Sequence, residues 1–157
     1  MKLPIGIQTF REIIEENYVY VDKTKYALDI IQNYKYVFLS RPRRFGKSLF
    51  LDTLRNIFEG NKELFKDLYI YDKYDFQKYP VIKISWAGDF KTLESTKIVA
   101  MSILDRNKEN LGVECKSEDV GVCFGEIIQN TYKKYQKKVV ILVDEYDKPI
   151  LDNMDNV

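Results

Sequence analysis

Near the end of the sequence five aliphatic residues stand in a row, Val139-Val-Ile-Leu-Val143, closed by Asp144-Glu145. A short run with no polar residue alternating through it fits a strand covered on both faces rather than one with a wet side. Strands of that kind belong to parallel sheets, with helices layered over them. Two other segments carry a similar signal. Tyr36-Val-Phe-Leu39 is nearly continuous and is followed by turn chemistry, and Val81-Ile-Lys-Ile-Ser-Trp86 is introduced by Pro80. Helical patterns fill the intervals, so the expected order is αα-β-α-β-αα-β, an α/β layer fold with a parallel sheet.

The helices are read from caps and periodicity. Thr9 is placed to cap a helix carrying Phe10, Ile13 and Ile14, and extended Tyr18-Val-Tyr-Val21 leads to Asp22, a cap for a helix with Tyr26, Ala27, Ile30 and Ile31 on one side. From about Lys47 to Glu59, Leu51, Leu54, Ile57 and Phe58 form a helical stripe, and Gly60 is placed to stop it. Glu63 to Leu68 adds a further turn or two. Later helices are predicted from about Lys91 to Arg106 and from a Ser117 cap to about Gln136, the latter with Phe124, Ile127, Ile128 and Tyr135 as core candidates. No repeat, low-complexity tract or Gly/Ser linker divides the chain, so residues 1–157 read as part of one domain.

Composition narrows the chemistry. There is no histidine among the 157 residues, which excludes Ser-His-Asp and Cys-His hydrolysis and removes the commonest zinc ligand. Carboxylates, lysine, arginine, hydroxyls and oxygen-held metals remain, the inventory of magnesium-dependent phosphoryl transfer. Cys115 and Cys123 match neither a zinc knuckle nor a CxxC pair and read as reduced structural thiols. With 25 basic and 24 acidic side chains the net charge is +1, so any grip on nucleic acid or an anionic membrane must be local. No apolar run is long enough to span a bilayer and MKLPIGIQTF lacks a signal core, so a cytoplasmic chain with no membrane partner is expected.

That chemistry has a place to happen. In LSRPRRFGKSLF, residues 39–50, the stretch Phe45-Gly-Lys-Ser48 lies between a buried-strand signal and a helix start, the context a phosphate-binding loop requires. Unpaired amides at the helix N-terminus face an anion there, and the helix dipole favours negative charge. Gly46 lets the backbone approach a phosphate, Lys47 reaches the β- and γ-phosphates, and the Ser48 hydroxyl is a magnesium ligand. Arg43, Arg44, Phe45 and Leu49 complete the predicted nucleotide-binding set. Arg41 stands where GxxxxGK[ST] has its first glycine, and Pro42 beside it fixes its own φ.

The run VVILVDEYD supplies the second half. An acidic side chain at the carboxyl end of a buried strand emerges where ligands bind in such sheets. Asp144 is accordingly predicted to hold magnesium with Ser48, and Glu145 to polarise the attacking water, with Lys47 as the other catalytic group. Both motifs must open onto one anion pocket.

With both motifs in view, the sequence resembles a bacterial family of predicted AAA-ATPase-like proteins. The matching segments are Gly6-Ile-Gln-Thr-Phe-Arg11, Tyr20-Val-Asp-Lys-Thr24, Ser40-Arg-Pro-Arg-Arg-Phe-Gly-Lys-Ser48, Tyr79-Pro-Val-Ile82 and Val143-Asp-Glu-Tyr-Asp-Lys-Pro-Ile-Leu151. The arginine-rich loop resembles that family's own version. The resemblance implies a three-layer αβα P-loop NTPase using ATP and Mg2+, with Tyr20 to Thr24 near the base; a plain helix cap is the competing reading of Asp22. It also implies the strand order 5-1-4-3-2, in which strand four, a polar sensor, strand five and a lid would follow Val157. The chain is therefore expected to be the N-terminal portion of its domain, binding nucleotide weakly and hydrolysing it slowly, with self-association through exposed sheet edges as one way to cover the gap. Longer members of the family often add a nuclease-like domain of the PD-(D/E)xK type, the route by which nucleic acid would become a partner.

Two other functions fit the same residues. Arg41, Arg43 and Arg44 would serve a nucleic-acid-binding module, and a nucleotide-binding regulator that does not hydrolyse differs only in whether Glu145 acts.

Overall fold

A computed structural model describes residues 3–4, 9–34, 47–86 and 91–144. The strand expected at 36–39, the loop from Arg41 to Gly46 and Glu145 all lie outside the described residues. The chain divides into two compact units between Lys78 and Tyr79.

The first unit holds α1 (Phe10–Glu15), α2 (Thr24–Asn33), α3 (Lys47–Phe58) and a 3-10 turn at Lys62–Phe65. Its centre is aromatic. Phe10 and Phe65, both fully buried, stack with ring centroids 4.7 Å apart, and Phe76 lies 5.3 Å from Phe65. Burying each such ring contributes about 2–3 kcal/mol, so short α1 is held by packing rather than by its own propensity. Leu51, Leu54 and Ile57 are buried as the stripe in α3 predicts, with Phe58 half-buried.

Gly60 ends α3 as expected. It takes φ +78°, its N–H reaches the Ile57 carbonyl, and the Asn61 N–H reaches Asn56, the paired bonds that close a helix through a left-handed residue. α2 departs from expectation on one point. Thr24, Ala27 and Leu28 are its buried residues whereas Tyr26 is 66% exposed, because the helix turns its core face about one residue further round than the periodicity suggests.

The second unit has the α/β character read from its apolar runs. β1 (Val81–Ser85) pairs in parallel with β2 (Val140–Asp144), in register Ser85 with Asp144, and α4 (Leu93–Leu111) and α5 (Val120–Tyr135) form the connection. Ile82, Ile84, Ile103, Leu104, Leu111 and Ile127 share one core beside these strands.

β1 presents Lys83 to its outer side. There the Asn107 side chain of α4 accepts from the Lys83 N–H at 3.1 Å and donates to the Lys83 carbonyl at 3.0 Å. A side-chain amide thus occupies backbone groups that would otherwise invite another strand.

Two boundaries move. α4 runs to Leu111 rather than Arg106, since Leu104, Asn107 and Leu111 continue its buried face and left-handed Gly112 supplies the stop. α5 is capped by Asp119, which accepts from the Val122 N–H at 3.0 Å, while Ser117 serves the turn before it by accepting from the Asp119 N–H. Lys134 and Tyr135 at the end of α5 both donate to the Leu111 carbonyl, so one helix C-terminus helps close another.

The cysteines also differ from expectation. Spacing alone predicts reduced thiols, but Cys115 and Cys123 form a disulfide, Cα to Cα 5.2 Å. The cause is local: the turn after α4 doubles back along α5, fastened by the Lys116 N–H to the Glu126 carboxylate at 2.6 Å, and this brings Cys115 to fully buried Cys123.

Among the described residues no helix is long and apolar enough to cross a membrane.

Candidate functional site

Lys47, Ser48 and Leu49 are consecutive in the first turn of α3. The first amides of a helix have no intrahelical acceptor, and the positive end of the dipole adds to their pull on an anion. Ser48 and Leu49 are half-buried. The sequence expectation that GKS opens a helix therefore holds for the backbone. Arg43, Arg44, Phe45 and Gly46 fall outside the described residues, as does Arg41.

One turn further along the helix lie polar residues that would ordinarily face water. Asp52 is 3% exposed, Thr53 1% and Asn56 2%. Asp52 accepts from the Phe10 N–H at 2.7 Å and from the Asn56 amide at 3.3 Å through one oxygen, and pairs with the Arg55 guanidinium at 2.8 Å through the other. Asn56 in turn accepts from the Asn61 amide at 2.9 Å. Thr53 donates to the Leu49 carbonyl at 2.8 Å. Burial pushes the Tyr20 phenol up from its ordinary value.

Thr9 sits at the N-cap of α1, but its side chain makes no capping bond. Asp52 takes that role from across the unit. Sequence reading misses Asp52 and Thr53 because capping is normally sought next door along the chain. The available signal is that small polar residues flank the apolar stripe of α3 on positions a two-sided helix must bury.

Asp22 is not the N-cap of α2, a position Lys23 holds without a side-chain capping bond, but it grips the first residue of that helix. One oxygen accepts from the Thr24 N–H at 2.8 Å and from its hydroxyl at 2.6 Å, and the other from the Tyr69 N–H at 2.8 Å. Burial opposes its ionisation, but the Thr24 hydroxyl and the Tyr69 and Thr24 amides prevail and hold the carboxyl below its ordinary value. Both oxygens of Asp22 thus bind the chain itself. Thr24 extends the junction, its hydroxyl accepting from the Ile70 N–H at 3.2 Å.

In the second unit Asp144 is the last residue of β2, 5% exposed, and its carbonyl accepts from the Trp86 N–H at 3.1 Å. An acidic side chain at the carboxyl end of a parallel strand occupies the position where α/β sheets meet their ligands. Glu145 lies outside the described residues. A groove of about 270 Å³ beside the same end of β1, lined by Ser85, Ile98, Val99, Ser102, Ile103 and Arg106, includes none of the residues predicted to bind nucleotide.

A parallel strand pair connected through helices, with an acidic residue closing one strand, gives the chain an α/β character. The family model for predicted AAA-ATPases matches residues 4–157, and the chain belongs to that family. It is 49% identical over 159 residues to the "Uncharacterized protein in vnfD 5'region" of Azotobacter chroococcum mcd 1, an alignment that takes in 98% of this chain and 30% of that protein. The chain thus spans under a third of the relative's length. No solved structure matches.

Proposed function

We propose that this chain is the N-terminal part of an ATP-binding P-loop domain with the three-layer αβα architecture, which hydrolyses ATP to drive or switch a further part of the protein. The observation that carries the reading is the placement of Lys47-Ser48-Leu49 in the opening turn of α3, within a chain whose family is that of predicted AAA-ATPases. Asp144 at the carboxyl end of β2 supports it.

In this reading the amides from Arg43 to Leu49 hold the phosphates, Gly46 leaves room for them, and Lys47 neutralises the β- and γ-oxygens. The donor set suits Mg2+, since a serine hydroxyl and an aspartate are hard oxygen ligands; Ser48 and Asp144 would hold it. The ion would supply charge neutralisation at the β- and γ-phosphates. Glu145 orients the attacking water and accepts its proton.

The test is magnesium-dependent binding of ATP to the purified chain and to Lys47→Ala. Loss of at least tenfold in affinity, about 1.4 kcal/mol, is expected. Equal affinity in the two proteins overturns the reading. Salt-sensitive DNA binding that ignores nucleotide would favour the nucleic-acid module built on Arg41, Arg43 and Arg44 instead.

A further inference from the structure

The segment around Phe10 fastens onto the phosphate-binding helix, and the next residue of that helix braces its opening turn. Phe10 donates its N–H to Asp52 while its ring packs edge-on against Tyr20, centroids 5.3 Å apart, and Thr53 donates to the carbonyl of Leu49. Asp52 follows Ser48 by four positions, so the two share a helix face, and helical side chains lean back toward the N-terminus. The attachment therefore acts on the opening turn rather than on the helix as a whole.

We propose that Asp52 and Thr53 are positioning residues for the phosphate-binding turn Lys47–Leu49, Asp52 latching it to the N-terminal segment around Phe10 and Thr53 bracing the Leu49 carbonyl. This inference rests on the nucleotide-binding reading given above. The first turn of any helix lacks half its hydrogen bonds and frays readily, yet a ring of amides holds a phosphate well only when its members stay in place. Asp52 supplies a fixed point: a carboxylate that is nearly inaccessible, bonded through both oxygens, and charge-matched by Arg55. Thr53 supplies the second by giving the Leu49 carbonyl a hydroxyl partner, in addition to the backbone amide that α-helical geometry brings to it. The amide chain from Asn61 through Asn56 to Asp52 stiffens the same side of α3 down to its C-terminal end.

The experiment compares the intact wild-type chain with Asp52→Ala, Asp52→Asn, Thr53→Val and Thr53→Ser. Affinities for Mg-ATP and for adenosine are measured well below each melting temperature, with circular dichroism to verify folding. Asp52→Ala is expected to bind ATP at least tenfold more weakly with adenosine affinity changed less than twofold, because only the phosphate-binding turn has lost its anchor. Asp52→Asn keeps an acceptor for the Phe10 N–H and should recover to within about threefold of wild type. Thr53→Val should weaken ATP about fivefold, and Thr53→Ser should restore it. Should Asp52→Ala not fold, the threonine pair and Asp52→Asn decide the matter. Wild-type ATP affinity in folded Asp52→Ala or in Thr53→Val overturns the positioning role, as does a parallel loss of ATP and adenosine binding. A wild-type chain that binds no ATP overturns the nucleotide reading itself, and this inference with it.

Discussion

Removing the Asn107 amide is the sharpest test of how the parallel strand pair is finished. Asn107 is 5% exposed and bonds both backbone groups of Lys83, with a third bond from its amide to the Ile103 carbonyl at 2.9 Å. The Ile103 carbonyl lies where α-helical geometry already brings it a backbone donor, so its loss counts for little. The two bonds to Lys83 contribute about 1 kcal/mol each, and loss of the partly buried packing brings the cost of Asn107→Ala to about 2–3 kcal/mol. That is a large part of a total stability of about 5–15 kcal/mol. Trp86, the one tryptophan in the sequence, follows β1 directly and reports its unfolding by fluorescence. With a urea slope near 2 kcal/mol/M, the midpoint should fall by about 1–1.5 M. Asn107→Asp adds a sign test. Its carboxylate would face two carbonyl oxygens and should destabilise at least as much as alanine at neutral pH, with the deficit relative to wild type shrinking in acid as the carboxyl regains a proton to donate. A midpoint shift under about 0.3 M for Asn107→Ala would show that the pairing with Lys83 carries no stability.

Other perturbations have equally definite outcomes. Gly60→Ala places a Cβ 2.6 Å from the Lys78 Cγ and 3.0 Å from the Phe76 carbonyl at a φ of +78°, and should lower stability by about 1–2 kcal/mol in urea unfolding. The folded-state pKa of Asp22 lies below its ordinary 3.8, so its contribution is present above that value and lost as pH falls through the depressed one; the stability gap between wild type and Asp22→Asn should be constant near neutrality and close in acid. Reducing the Cys115–Cys123 disulfide, which spans a sequence separation of 8, should lower stability by about 2.5 kcal/mol in the chain-entropy picture, and thiol titration should show two groups released together.

What the sequence makes legible here is what short stretches of chain decide by themselves. Val81–Ser85 and Val140–Asp144 form a parallel pair as their apolar runs predict, although Ile141 and Val143 leave one face of β2 exposed where the run alone predicts burial on both, and Gly60 ends α3 because only the left-handed region lets the chain turn there. Gly-Lys-Ser likewise announces a helix start through its immediate neighbours, and the start is found at Lys47. The misplaced features share a different origin. Thr9 is a good cap by type, yet Asp52, 42 positions away, takes the α1 amide. Tyr26 fits a helical stripe, yet the core the stripe must meet lies beside Ala27 and Leu28. Cys115 and Cys123 carry no recognisable spacing motif, yet a turn held by Glu126 joins them. The first two depend on which distant group reaches a polar atom or an apolar face, information no local window contains. The candidate site divides along the same line. The helix start at Gly-Lys-Ser can be read from a tetrapeptide, whereas the bond from the Phe10 N–H to Asp52 is apparent only once α1 has been folded onto α3.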